Sequence, residues 1–275
     1  GDEFTVQYGP AFSGSRLVFN LDASELLAQK EMRQAIYYAM DSQEMIDKLA
    51  SGVGEVSNPG VLPPAHIMYN PDVRQYAHSL DVAGALLDAL GYSEIGEDGI
   101  RFNDSGQRLS IELLASSADA SKLFVEQMAR AGIEFVLTLA ESATAEQKVA
   151  DSEFEAAIVG HAGLGGNADY LRERYAGGDL GASTTELATK GYDNAEVIRL
   201  LTEQRTLINF DERKAMLYEI QELMAEDAVE IMLYYGYDVT AWRPAVWDGW
   251  MYCYDERNFL GCKMSYLLYD QWKDA

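Results

Sequence analysis

Basic residues are scarce in this 275-residue chain: 21 Lys and Arg stand against 45 Asp and Glu, a formal net charge of −24 at pH 7. Nucleic-acid binders need lysine and arginine stripes to displace phosphate counterions, so no nucleic-acid partner is expected. The same surplus disfavours docking on anionic membranes. Cysteine and histidine are scarcer still, with Cys253 and Cys262 and with His66, His78 and His161 far apart. Neither C-x-x-C nor H-E-x-x-H occurs, which argues against a zinc enzyme, and no metal site is expected. No apolar run reaches the length of about 18 residues that a membrane helix needs. A charged-then-apolar leader is also lacking at Gly1, as it would be in a trimmed product.

What is present describes a protein with a packed core. Hydrophobic residues make up 48% of the chain and aromatics 11%, too many for a disordered acidic tail. No repeat or low-complexity tract is visible. Residues 16–21 read as a strand, and 29–39 as a helix in which Met32, Ala35, Ile36 and Ala39 recur at helical spacing. Asp41 with Glu44 predicts a capping box for a second helix, stopped at Gly52. Residues 53–79, with Asn58-Pro59-Gly60 and Pro63-Pro64, read as an irregular loop. Val82, Ala85, Leu86, Ala89 and Leu90 mark a helix ending at Gly91. Residues 100–102 and 109–113 suggest a hairpin around Asn103–Gly106.

Strand 109–115, helix 121–131 and strand 134–139 make a βαβ unit. A short helix near 143–150, a strand at 154–159, a glycine-rich loop at 160–168 and a short helix at 169–176 follow. Two long helices come next. Asp193 caps the first, with Val197, Leu200, Leu201 and Ile208 inward; Asp211 caps the second, with Met216, Ile220, Leu223 and Met224 inward. A strand at 229–235 precedes a tail rich in tryptophan and tyrosine. The class is α/β or mixed α+β.

Chemistry-bearing motifs are few. Gly163-Leu-Gly165-Gly-Asn-Ala168 matches G-x-G-x-x-A, but no apolar strand ending in a ribose-binding acid follows it, so a loop approaching a ligand or a neighbouring element is favoured over a nucleotide cradle. G-x-S-x-G is absent. Among 45 acids, pairs such as Glu153/Glu155 and Glu226/Asp227 read as solvated faces, and no catalytic residue is singled out. Tyr234, Tyr235, Tyr237, Trp242, Trp247, Trp250, Tyr252 and Tyr254 fit either a packed core or a ligand cleft, with the core favoured. Cys253 and Cys262 are open between a small disulfide loop and buried thiols.

The order of several short motifs resembles a known family. Arg33-Gln-Ala35 with Ala39 and Asp41 looks like the "R-Q-A-x-x-x-A-x-D" helix pair of family 5 extracytoplasmic solute-binding proteins, the oligopeptide, dipeptide and nickel-type receptors of ABC importers. Asp81, Ala85, Leu86, Leu87 and Gly91-Tyr92 are similar to a second family helix, and Gly191-Tyr-Asp-Asn194 to its "G-Y-x-N". Asp211, Arg213, Tyr218, Gln221, Leu223, Glu226, Asp227 and Leu233-Tyr234 resemble its closing helix and crossing strand.

That resemblance implies a periplasmic-binding-protein type II-like fold, in which a mixed sheet with flanking helices forms lobe 2. Residues 1–19 would be a crossing segment at the edge of lobe 1, 20–235 lobe 2, and 236–275 a segment returning to lobe 1. The family is about twice this long, so the N-terminal half of the whole protein is expected to be missing. It also implies a non-enzymatic receptor without cofactor, located in the periplasm or on the outer face of the cell membrane, lipid-anchored through the absent N-terminus in the latter case. The implied partners are a peptide or small polar solute and a membrane permease. The whole protein is expected to be a monomer, whereas a tail deprived of lobe 1 leaves aromatics available for dimerisation.

Ligand residues are expected at His161, Asn167 and Asp169 in the glycine loop and at Tyr234 and Tyr237 near the lobe crossing. One departure from the family pattern concerns the ligand. Peptide-binding members carry an acid in that loop to anchor the α-ammonium, and here Leu164 stands about where it would be. Two other readings remain: a ligand-sensing module of a regulator, and an α/β enzyme using the 160–168 loop for a phosphorylated substrate.

Overall fold

The structure, a computed structural model, describes residues 4–9, 12–161, 168–176 and 187–246. Its frame is a six-stranded mixed sheet in the order β3-β9-β2-β8-β6-β7. These are Gly54–Val56 (β3), Ile231–Gly236 (β9), Ser13–Phe19 (β2), Ala156–His161 (β8), Ser110–Ala115 (β6) and Glu134–Leu139 (β7). β2 pairs antiparallel with both β8 and β9, and β3 antiparallel with β9, whereas β6 runs parallel to β7 and β8. Two two-stranded ribbons stand apart: Thr5–Tyr8 (β1) with Val239–Trp242 (β10), and Glu94–Ile95 (β4) with Arg101–Phe102 (β5).

Helices cover the sheet because its strands are apolar on both faces, as parallel-type strands are. Leu17 and Phe19 point into the largest core cluster, while Val18 points into a second one with Val149 and Ala157. Glu25–Ala28 (α1), Lys30–Ala39 (α2), Ser42–Leu49 (α3), Leu80–Ala89 (α4) and Ala118–Arg130 (α5) serve the first cluster, which contains Leu27, Ile36, Met45, Leu87 and Phe124. Ser142–Ala150 (α6) serves the second. Tyr170–Tyr175 (α7), Ala195–Glu203 (α8) and Phe210–Asp227 (α9) close a third around Leu171, Leu200, Ile220 and Met224. Among the described residues, no helix is long and apolar enough to cross a membrane.

Local signals account for many boundaries. Asp41 caps α3 by accepting from the Glu44 N–H, and the chain turns out of α3 and α5 through Gly52 and Gly132 at positive φ. The 110–139 segment is the expected βαβ unit with parallel strands. Several expectations are corrected. Asp41 and Glu44 do not form a reciprocal box, because the Asp41 N–H donates to Gln127 instead. The "loop" 53–79 contains β3, an edge strand held by pairing with β9 rather than by propensity. Phe102 meets Arg108 in a single antiparallel bridge, while β5 takes β4 as its ladder partner, so 100–113 is not a full hairpin.

The helix α4 buries Ala83, Gly84 and Leu87, with Val82 exposed. Asn194 and Asn209, not Asp193 and Asp211, cap α8 and α9, each accepting two backbone N–H bonds. Ile208 is fully exposed rather than inward. It falls after a 3-10 turn, Gln204–Thr206, that ends the helical phase on which the assignment depended.

Candidate functional site

One end of the six-stranded sheet collects the features that bind ligands in open α/β sheets. Strands β6, β7 and β8 all present their carboxyl ends there, the position where such sheets carry crevices. β2 begins at the same end, because Gly14 lies opposite His161 and Ser13 opposite Gly236. The described chain therefore meets the sheet at this end, with Phe12 before β2 and residues 237–238 after β9, and the β1–β10 ribbon lies just beyond. Gly14 is required by close approach: a Cβ here would sit 2.5 Å from the Tyr234 carbonyl oxygen.

The sequence points to five residues for ligand contact. His161 ends β8 at this edge, and Asn167 lies outside the described residues, as do Leu164 and the glycines 163–166. Asp169 precedes α7 and holds a fork: its carboxylate accepts from Arg172 Nε (3.0 Å) and Nη2 (2.7 Å), and from Gln204 Nε2 (2.6 Å). Burial alone would raise its pKa, but the bonds from Arg172 and Gln204 hold it below the usual carboxylate range.

Tyr234 and Tyr237 are not brought together. Tyr234 packs on the large core cluster, whereas Tyr237 packs with Tyr170 against Phe12, Met232 and Tyr235 on the other face. Of the aromatic group, Tyr235 is core, its hydroxyl donating to the Val61 carbonyl at 2.8 Å. Trp247, Trp250, Tyr252, Tyr254, Cys253 and Cys262 lie outside the described residues.

Residues that sequence reasoning passed over complete this end. Tyr237 donates from its hydroxyl to Glu55 Oε1 at 2.8 Å, and Glu55 stands opposite Tyr235 on β3. The bond to Glu55, and then burial, push the Tyr237 phenol up, so it remains a neutral donor. Tyr69 is half-buried nearby, its phenol raised by burial first and by the charges of Glu55 and Asp72 next. No signal in the sequence separates Glu55 from the other acids, since its importance depends on a strand that propensity does not predict.

The motifs that resemble a family do something else. Arg33 Nη1 donates to the carbonyls of Leu27 (2.7 Å) and Ala28 (3.0 Å), Nη2 to Asp227 (2.7 Å), and Nε to Asp227 and Ala228 (both 3.2 Å). It thus satisfies the orphan carbonyls at the ends of both α1 and α9. The Asp227 carboxylate accepts from Tyr192 Oη (2.6 Å) and Asn194 Nδ2 (2.7 Å). A surface depression of about 450 Å³ lined by Lys30, Arg33, Tyr192, Asn194 and Asp227 lies over this latch. The Arg33 guanidinium and the Asp227 carboxylate in it are engaged by these bonds, which tie the ends of α1 and α9 to α2 and to the start of α8.

Among the described residues no group of three or more His, Cys, Asp or Glu side chains is placed to hold a metal ion.

Comparison with known proteins agrees with this architecture. The model of the bacterial extracellular solute-binding proteins, family 5 middle, matches residues 1–182. The oligopeptide-binding protein AppA of Bacillus subtilis (strain 168) is 24% identical over 242 residues, covering 84% of this chain and 43% of AppA. The structure of AppA from Bacillus subtilis in complex with a nonapeptide is similar at a TM-score of 0.75 and 19% identity, covering 94% of this chain and 53% of that one. NikA from Brucella suis in complex with Fe(III)-EDTA is similar at a TM-score of 0.77 and 18% identity, over 93% of this chain and 51% of that one. The chain thus spans about half the length of these relatives. With a family model matching 182 of its 275 residues over this mixed α/β frame, the chain belongs to the family 5 bacterial extracellular solute-binding proteins, a non-enzymatic family.

Proposed function

We propose that this chain is one lobe, with part of the return to the other, of the substrate-binding protein of an ABC importer. The complete protein captures a peptide or other small polar solute between two lobes outside the cytoplasm and hands it to a membrane permease. Lobe 2 spans about residues 20–235, and 236–275 return to lobe 1. The observation that carries this reading is the arrangement at the carboxyl end of the sheet. There β1 and β10, from opposite ends of the described chain, pair side by side beyond the strands that feed them. Two adjacent crossing strands are what a hinge between two lobes needs.

Exposed Phe4, Val6, Tyr8 and Val239 on that ribbon give it an apolar side, which a second lobe would cover. Relatives hold different solutes, a nonapeptide in AppA and Fe(III)-EDTA in NikA, and a peptide or other small polar solute falls within that breadth. His161, Asn167, Asp169, Tyr234 and Tyr237 remain the proposed ligand-side set, with Asp169 acting through its fork with Arg172 and Gln204.

The test is native mass spectrometry on protein expressed from the complete reading frame. A mass near twice the 30.5 kDa of this chain, carrying one small species released by mild activation, is the expected result. A complete product of 30.5 kDa that carries nothing would overturn the two-lobe receptor reading.

A further inference from the structure

The β1–β10 ribbon is joined to the sheet with little backbone restraint. Among the described residues, the sheet's strand pairing at this end stops at the Ser13–Gly236 and Gly54–Gly236 pairs. β10 begins at Val239, so only Tyr237 and Asp238 stand between it and β9. The Gly9 N–H donates to the Asp238 carbonyl at 2.7 Å, which ties the two connections to each other. That bond travels with the ribbon and does not fix the ribbon's direction from the sheet.

A side-chain bond crosses this gap. Tyr237, one residue past the last ladder pair, donates from its hydroxyl to Glu55 Oε1 at 2.8 Å. Glu55 belongs to the sheet, standing opposite Tyr235 in the β3–β9 ladder. The acceptor is therefore fixed to the sheet, and the donor is the first residue of the connection. Tyr237 also packs with Tyr170 against Phe12, Met232 and Tyr235. Apolar packing is non-directional and tolerates sliding, whereas a hydrogen bond to a carboxylate constrains both distance and angle.

Such a bond biases a hinge without locking it, since it shifts a two-state equilibrium by roughly tenfold. The latched setting also carries a cost, because Glu55 Oε2 is enclosed and accepts no hydrogen bond. A ribbon setting that uncovers this oxygen regains its hydration, so the two settings compete.

We propose that the Tyr237–Glu55 bond is a strut across the hinge, which fixes the direction in which the ribbon leaves this lobe and so sets the balance between open and closed arrangements of the complete protein. The inference rests on the two-lobe receptor reading and adds the element that regulates it. Tyr237 and Glu55 act here as positioning residues, through the ribbon.

The experiment uses protein from the complete reading frame, dialysed free of solute, so a contact of Tyr237 with solute does not enter the result. Small-angle X-ray scattering reads the arrangement of the lobes, amide hydrogen exchange reads the ribbon, and melting temperature reads the fold. Tyr237→Phe and Glu55→Ala should each move the radius of gyration in the same sense. Each should also speed exchange of the β1 and β10 amides roughly fivefold while leaving β6 and β8 unchanged. The double variant should go no further than either single one, because one bond is lost in all three. Glu55→Gln keeps an acceptor oxygen and should stay closer to the parent than Glu55→Ala. A loss of packing alone lowers the melting temperature and leaves the scattering as in the parent. Should Glu55→Ala fail to fold, Tyr237→Phe and Glu55→Gln carry the test.

Scattering and ribbon exchange unchanged in Tyr237→Phe would overturn the inference, as would single effects that add in the double variant. In both cases the parent still scatters as two lobes and the receptor reading stands. A parent that scatters as one compact body without a second lobe removes the receptor reading, and the strut with it.

Discussion

Arg16 Nη1 lies 2.6 Å from Glu230 Oε2, joining residues 214 positions apart with neither side chain exposed to solvent. Arg16 Nη2 donates to the Leu187 carbonyl, and Tyr175 on α7 donates to the same Glu230 oxygen. Burial alone would raise the Glu230 pKa, but the guanidiniums of Arg16 and Arg174 prevail and hold it below the usual carboxylate range. The carboxylate is therefore ionised, and it ties the central strand β2 to the segment entering β9 and to α7.

Removing one member of a buried pair strands the other charge, which costs about 3–5 kcal/mol. Glu230→Gln, which removes the carboxylate charge facing the guanidiniums of Arg16 and Arg174, should lower the unfolding free energy by that amount, seen as a lower urea midpoint at unchanged slope. Arg16→Met, which leaves Glu230 with Arg174 as its partner, should cost less but still more than about 1 kcal/mol. Equilibrium urea unfolding of the three proteins checks this. A single variant within about 1 kcal/mol of the parent would show the network to be dispensable.

Arg33 makes a second test, because its fork serves the ends of two helices at once. A lysine keeps the charge but presents three donors from one point, and it cannot reach the carbonyls of Leu27, Ala28, Asp227 and Ala228 together. Arg33→Lys should cost about 2–3 kcal/mol, the sum of several modest bonds and stranded carbonyls. The neighbouring Lys30, whose pair with Glu226 is about half exposed, is the control: Lys30→Ala should cost under about 0.5 kcal/mol. Equal losses at the two positions would refute the capping role.

The acid response follows from Glu44. Hydrogen bonds from Arg130 first and Lys48 next lower its pKa to about 2. A folded-state pKa below the unfolded one gives a stabilisation that is fully present above about pH 4.5, the unfolded range, and is lost as pH falls toward 2. Glu44→Gln removes it at every pH. The gap in urea midpoint between parent and variant should therefore be widest near pH 7 and shrink by pH 3. A gap that grows on acidification has the wrong sign for this account.

These three sites show why the fold was more legible than the ligand. Arg33, Tyr192, Asn194 and Asp227 belong to short motifs recognisable in the sequence, and they hold one another in a helix latch. Recognising them therefore identifies the architecture. Glu55 and Tyr237 meet only because β3 pairs with β9, a non-local event that Asn58-Pro59-Gly60 disguises as loop. The caps fall at Asn194, one residue after Asp193, and at Asn209, two before Asp211, because capping-type residues stand close together and spacing alone does not choose among them. Tyr234 and Tyr237 are close in sequence, but Tyr237 follows the end of β9 at Gly236 and packs on a different cluster from Tyr234.

Gly191 offers the last test, since it separates backbone strain from a side-chain contact. Its φ is +73°, and a Cβ would lie 2.6 Å from Asp22 Oδ1, whereas Gly99 at φ +83° has open space around it. Both positions place an alanine in the left-handed region, a strain of about 1 kcal/mol. Gly191 must also let the Asp22 carboxylate approach while the next residue, Tyr192, carries its hydroxyl to Asp227. Gly99→Ala should lose about 1 kcal/mol and Gly191→Ala about 2 kcal/mol, the excess arising from displacing Asp22. Combining Gly191→Ala with Asp22→Ala should recover that excess and leave the strain, bringing the double variant close to Gly99→Ala when each is referred to its own glycine background. If instead Gly191→Ala and Gly99→Ala lose the same amount, the Asp22 contact costs nothing and the backbone conformation alone demands glycine at 191.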